Sequence, residues 1–274
     1  MAKDFGAGFH VAPGRDVVDA QAYEAWTGRW SRLFVPSVLA AARIAPGDRV
    51  LDVSTGTGEA ALQALPIAGE SGLVVGVDIS PAMLRGARDR LREQRFLPVA
   101  ADGQALPFPD ASFDSVVCHL GLQFFPKPEH GMAEFRRVLR PGGRAAVCVI
   151  SLAERAPMWS VLADAIGKRR PDLRSVLYLS FALNDPARLK ALFAGAGFND
   201  VRVECETRGD VGGSFEEYWK PIESGVGSIP QAYLALPGDQ RRQVREEVQS
   251  KLARYESDGR LRLSVEMLIG VGRA

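Results

Sequence analysis

Between Arg49 and Ile150 short β-branched runs alternate with helical stretches, which confines the chain to a mostly parallel sheet covered by helices on both faces. The runs 49–54, 73–78, 97–101, 113–118 and 144–150 read as its first five strands. Helices are predicted to start at Gly58, to run from Pro81 to about residue 93, and to span 129–139. Ser80 is placed to cap the second, with Pro81 at the first position, where a missing N–H costs nothing. Arg140-Pro-Gly-Gly143 reads as a helix stop followed by a turn. After Ile150 the rhythm changes: 156–183 is helix and loop, 185–196 helix, 201–206 strand, 215–255 a mostly helical insertion, and 261–271 a last strand. Two late strands joined by a helical insertion, instead of another βα unit, predict an antiparallel edge. Upstream, 20–42 reads as one amphipathic helix with Tyr23, Trp26, Trp30 and Phe34 at spacings of three and four.

A chain of 274 residues, 46% of them hydrophobic, can bury a full core. The expected organisation is a single domain, 1–274. Within it 1–45 forms an N-terminal helical lid, 46–150 the ligand-binding core, and 151–187 and 208–258 helical caps. Lys and Arg (34) balance Asp and Glu (33), so no global field attracts a phosphate backbone and nucleic acid is not expected as a partner. Arg241 to Arg245 is followed by Glu246 and Glu247, the pattern of a solvated helix face. Cys118, Cys148 and Cys205 are odd in number and dispersed, which suits a reducing, cytoplasmic compartment. No run approaches the roughly 18 apolar residues of a membrane span, and 1–11 lacks the features of a targeting peptide. His10, His119 and His130 are scattered like the cysteines, so no metal site is expected.

The stretch from Val50 to Ala61 carries most information about a ligand. A strand running through Gly56 and Gly58 into a helix brings bare backbone to a helix N-terminus. Gly56, Gly58 and Ala61 fit a dinucleotide spacing, and Asp78 lies where an acid accepts ribose hydroxyls. Two features depart from a dinucleotide site. Asp52 sits inside the first strand, where it can orient the loop or hold an ammonium through water, and Asp102-Gly103 can read the edge of an adenine.

Five segments in order, 51–58, 75–83, 101–108, 113–117 and 139–144, together resemble the class I S-adenosylmethionine-dependent methyltransferases. The similarity is greatest to the branch of ubiquinone and menaquinone biosynthesis C-methyltransferases. It implies a Rossmann-like, doubly wound α/β fold, with a mostly parallel seven-stranded sheet, an antiparallel edge strand and helical lid insertions. It also implies S-adenosyl-L-methionine as cofactor and S-adenosyl-L-homocysteine as product. On this resemblance Ser54, Gly56 and Gly58 line the methionine part, with Asp52 behind them. Asp78, beside Ile79, binds the ribose, Met83 packs on the adenine, and Asp102 and Gly103 read its amino edge. His119 and Leu120 lie beneath the sulfonium. The family usually has Gly or Ala where this chain has Ser54, and often Cys where it has Thr55.

Methyl transfer from a sulfonium is an in-line displacement, so alignment and exclusion of water matter more than a covalent residue. His119 is the candidate catalytic base, with packing or cofactor contact as the competing role. Tyr23, Trp26, Trp30, Phe124 and Phe125 are the candidate substrate contacts, while a docking stripe explains the first three equally well. Trp159, Tyr178, Trp219 and Tyr233 fall near the same crevice, and the expected acceptor is a small apolar or aromatic molecule. Monomer and homodimer are both open. The competing readings are an NAD-dependent oxidoreductase, a non-catalytic S-adenosylmethionine-binding protein, and a methyltransferase acting on RNA or protein.

Overall fold

The structure is a computed structural model, and it describes residues 20–92, 94–209 and 213–274. His10, the beginning of the 1–45 lid, the expected helix end at residue 93 and part of the 208–258 cap lie outside the described residues.

Seven strands form the main sheet: β1 (Arg49–Val53), β2 (Leu73–Asp78), β3 (Phe96–Ala100), β4 (Phe113–His119), β5 (Leu139–Ile150), β6 (Asn199–Gly209) and β9 (Ser264–Arg273). A small hairpin, β7 (Glu256–Ser257) and β8 (Arg260–Leu261), precedes β9, so Leu261 belongs to the hairpin and not to the last strand. The spatial order is β3-β2-β1-β4-β5-β9-β6. β1 to β5 run parallel, and β9 runs antiparallel to both β5 and β6. The antiparallel strand therefore sits one place in from the edge, which β6 forms. On β6 Arg202, Glu204, Glu206 and Arg208 share one face, an arrangement that discourages further strand pairing. β1 and β4 are buried along most of their length because helices cover both faces, which is why they read as continuous apolar runs.

Chain order reverses about β1 and β4, and the crevice beyond the carboxyl ends of these strands is where such a sheet takes its ligand. One core layer packs the sheet against helices Val35–Ala42, Glu59–Ala68, Pro157–Gly167 and Gly238–Leu252. The other packs it against helices Pro128–Val138 and Pro186–Gly195. Ser80 caps helix Pro81–Leu91, its hydroxyl accepting from the Met83 N–H at 3.4 Å.

Two elements differ from their sequence reading. The segment 20–42 is not one helix: a short α-turn leads into a π-helical stretch at Glu24–Gly28, then Arg29–Ser31, then helix Val35–Ala42. A Cβ at Gly28 would meet the far end of the Glu24 side chain at 2.3 Å, so the glycine leaves that carboxylate its place. The expected turn at 140–143 is a bulge within β5, where Phe113 pairs Leu139 and Ser115 pairs Arg144. Gly142, at φ 84°, lets the extra residues loop out, and Arg140 pairs with Asp114 at 2.7 Å.

Candidate active site

A cavity of about 120 Å³ opens beyond the carboxyl ends of β1, β2, β3 and β4. Ser54, Gly56, Asp78, Ile79 and Met83 line one part of it, and Asp102, Gly103, His119 and Leu120 another. Tyr23, Phe124 and Phe125 complete the wall from outside the strand ends. Val77, Ala101, Gln104, Gly121 and Pro126 also face it and escaped the sequence reading, although each adjoins a residue that was singled out. Asp52, Gly58, Trp26 and Trp30 do not line this cavity.

The strand ends are locally strained where they meet the cavity. Ser54 and Leu120, which follow β1 and β4, both have φ of 58°, a left-handed conformation that L-residues with a Cβ adopt at a cost. The Ser54 hydroxyl turns aside to the Cys118 thiol, and burial pushes that thiol up to about 12. A Cβ on Gly121 would lie 2.4 Å from the Ser54 side chain, so the serine is accommodated by a glycine across from it. Gly56 (φ 56°) has nothing within 4 Å of where a Cβ would stand, leaving bare backbone against open space.

Asp52 orients the loop instead of facing a ligand. It is buried, and its Oδ2 accepts from the Thr55 hydroxyl at 2.6 Å and the Ala61 N–H at 3.0 Å. Burial pushes its carboxyl up to about 7, with those two donors opposing the rise. Asp78 accepts the Gly56 N–H on Oδ2 at 2.9 Å and the Ser80 N–H on Oδ1 at 2.8 Å. Burial raises its carboxyl, and the Ser80, Gly56 and Ile79 N–H groups offset part of that. With three N–H donors on it, the carboxylate retains acceptor capacity for a hydroxyl. Asp102 Oδ1 accepts from the Gln104 N–H at 2.9 Å and its side-chain amide at 3.1 Å. The loop beyond it is braced by Arg137, which donates to the Phe108 and Leu106 carbonyls and to Glu134 and Asp110.

His119 Nε2 lies 3.0 Å from the Ser31 carbonyl, so that nitrogen carries the proton and the ring docks the N-terminal segment. Nδ1 is buried without a partner among the described residues. Burial lowers the imidazole to about 4, which keeps it neutral near pH 7. Glu24 ties the same segment to the glycine loop by accepting from the Thr57 hydroxyl and by pairing with Arg32 and Arg90.

A second cavity, of about 70 Å³, adjoins the first and shares Tyr23, Leu120 and Phe124 with it. Trp26, Ile150, Trp159 and Ile229 supply its apolar walls, and Gln123 also faces it. Trp30 is in the core and lines neither cavity. Trp219 and Tyr233 are likewise packed in the core, edge to face, with centroids 5.2 Å apart, and Tyr178 bonds Asp164 on the cap. Among the described residues no group of His, Cys, Asp and Glu could hold a metal, and no helix is long and apolar enough to cross a membrane.

Comparison with known proteins agrees with this geometry. A methyltransferase-domain family model matches residues 51–147, the segment that builds the first cavity. The ubiquinone/menaquinone biosynthesis C-methyltransferase of Azotobacter vinelandii is 35% identical over 202 residues, 68% of this chain and 79% of that protein. The demethylmenaquinone methyltransferase of Renibacterium salmoninarum is 34% identical over 203 residues, 70% of this chain and 81% of its own. In structure, a Bacillus halodurans protein provisionally described as a methyltransferase superposes with a TM-score of 0.60 at 21% identity, covering 87% of this chain and 97% of that one. At that identity the superposition shows the shared fold, whereas the sequence matches reach across the cavity-forming segments and beyond them. With strand order, motif order and sequence similarity in agreement, the chain belongs to the class I S-adenosylmethionine-dependent methyltransferases, in the branch of the ubiquinone and menaquinone biosynthesis C-methyltransferases.

Proposed function

We propose that this enzyme methylates a small, neutral, apolar or aromatic molecule of the quinol or phenol type, using the first cavity for the methyl donor and the second for the acceptor. The observation that carries this reading is the adjacency of the two cavities across Tyr23, Leu120 and Phe124. The names of the Azotobacter and Renibacterium relatives point to quinone-related acceptors.

The donor's chemistry is an electrophilic methyl group on a sulfonium, and the residues present suit its parts. Asp78 would hold the ribose, Met83 and Ile79 the adenine face, and Asp102 and Gly103 the adenine edge. Ser54, Gly56, His119 and Leu120 would border the methionine end, with Gly58 and Asp52 shaping the loop from behind. Tyr23, Trp26, Phe124 and Phe125 would contact the acceptor or the donor across the shared wall, and Trp30 would support them by packing. The segment from residue 20 to 45 and the helices of 151–187 and 208–258 would form the cap that excludes water from the transfer.

His119 is better suited to contact than to proton abstraction, because a ring held near pKa 4 is a weak base toward a phenol. Its Nδ1 would accept a hydrogen bond from a ligand. The test is incubation with methyl-labelled S-adenosylmethionine and a panel of quinols, phenols and naphthols. Label appearing in an organic-soluble product supports the reading. Label moving only into RNA or protein, or no transfer to any ring compound, overturns it.

A further inference from the structure

Gln123 is 2% exposed, and both its side-chain oxygen and its nitrogen lack a hydrogen-bond partner among the described residues. An amide unpaired in an apolar surround is a net cost to folding, so a group left in this state calls for an explanation. It lies in the short 3-10 turn Leu122–Phe124, directly after the strained Leu120 and the obligatory glycine at 121. The turn therefore places Gln123 at the wall of the second cavity, next to Phe124, which lines both cavities, with its amide buried behind that wall. Around it the wall is largely aromatic and aliphatic, with Trp26, Trp159, Ile150 and Ile229, and its other polar side chains are the hydroxyls of Tyr23, Thr27, Ser180 and Ser228. No Asp, Glu, Lys, Arg or His lines this cavity among the described residues, so a charged ligand would be desolvated there without a counter-charge.

We propose that Gln123 is the polar contact for the methyl acceptor, its amide holding a hydroxyl or carbonyl oxygen on a neutral, planar ring seated in the second cavity. This rests on the reading of that cavity as the acceptor site. The amide oxygen accepts from a hydroxyl and its NH2 donates to a carbonyl, so one side chain serves either oxidation state of an oxygenated ring. A ring fixed at its oxygen presents a defined neighbouring atom toward the shared wall, which is the orientation an in-line transfer requires. Aromatic bulk alone would seat the ring without selecting its rotation.

The test uses protein saturated with S-adenosylhomocysteine and two ring probes, 2-naphthol and naphthalene, with tryptophan quenching as the readout. The expected result is that Gln123→Leu lowers the preference for 2-naphthol over naphthalene at least tenfold, with S-adenosylhomocysteine affinity unchanged within twofold. The ligand-free variant should also melt higher, by about 2–4 °C, because an unpaired buried amide has been removed. A Leu variant that keeps the wild-type preference overturns the proposal, as does a lower melting temperature with lost S-adenosylhomocysteine binding, which marks the glutamine as structural. If the Leu variant does not fold, Gln123→Met carries the same expectations. Failure of the wild type to bind S-adenosylhomocysteine strikes the donor-site reading instead, and normal binding of it with no affinity for either ring strikes this one.

Discussion

The tightest constraints sit on single residues at the ends of β1 and β4. A Cβ at position 121 would stand 2.4 Å from Ser54, so Gly121→Ala should cost about 1–3 kcal/mol in urea unfolding. Much of that loss should return in the double variant with Ser54→Gly, and strict additivity of the two would refute the contact. Two buried groups set opposing pH dependences. His119 titrates near 4 in the folded chain against about 6.5 when unfolded, so its contribution is present above pH 6.5 and lost as pH falls toward 4. Asp52 is raised to about 7, so its contribution is complete below about pH 3.8 and lost as pH rises through 7. In wild type the two slopes partly cancel. Asp52→Asn should therefore expose the histidine, losing about 2–3 kcal/mol of stability between pH 6.5 and 4.5. Adding His119→Gln should flatten that window, and a persistent slope would show that another group is responsible. Of the residues lining the first cavity, Gly56, Asp78, Asp102 and Gly103 were legible from spacing, because a strand, a glycine turn and an acid at the next strand tip leave fixed offsets, whereas Ser54, Met83, His119 and Leu120 were expected only from the family resemblance. Gln123 was not legible, because an amide in the short turn Leu122–Phe124 has no periodicity to betray it.

At the scale of elements, the N-terminal segment best separates packing from ligand contact. Its aromatics follow helical spacing, but Trp30 and Phe34 are buried in the core while Tyr23 and Trp26 reach the cavities. Spacing of three and four could not reveal the division, since the π-helical stretch at Glu24–Gly28 shifts the helical register inside the segment. Trp30→Ala should therefore destabilise by about 3–5 kcal/mol while leaving S-adenosylhomocysteine affinity of the folded fraction unchanged. A variant of normal stability with lost affinity would place Trp30 in the site. The bulge at 140–143 was legible only as a turn. A Pro-Gly-Gly sequence announces that regular pairing stops, and whether the chain reverses or loops out is decided by β4, whose Phe113 pairs Leu139 across it. The strands themselves were legible because parallel strands buried on both faces leave apolar runs too short for helices.

For the whole molecule, the order of strands concentrates function at one place. The reversal of chain order about β1 and β4 puts the glycine loop, Asp78, Asp102 and His119 on one rim, although 67 residues separate Asp52 from His119. Helices Pro157–Gly167 and Gly238–Leu252 come from two distant segments and pack on the same core layer as the N-terminal aromatics. Their sequences announced helices, but which side chains would face a ligand was settled by tertiary packing, which sent Trp159 to the second cavity and Trp219 to the core. The central claim is that the first cavity binds the methyl donor through Asp78. Isothermal titration of the folded, ligand-free protein with S-adenosylhomocysteine tests it most directly. Wild type should bind with a Kd on the order of micromolar, about −8 kcal/mol, and Asp78→Ala should weaken this at least a hundredfold, about 2.7 kcal/mol. Folded wild type that gives no heat with S-adenosylhomocysteine but binds NADH would contradict the account.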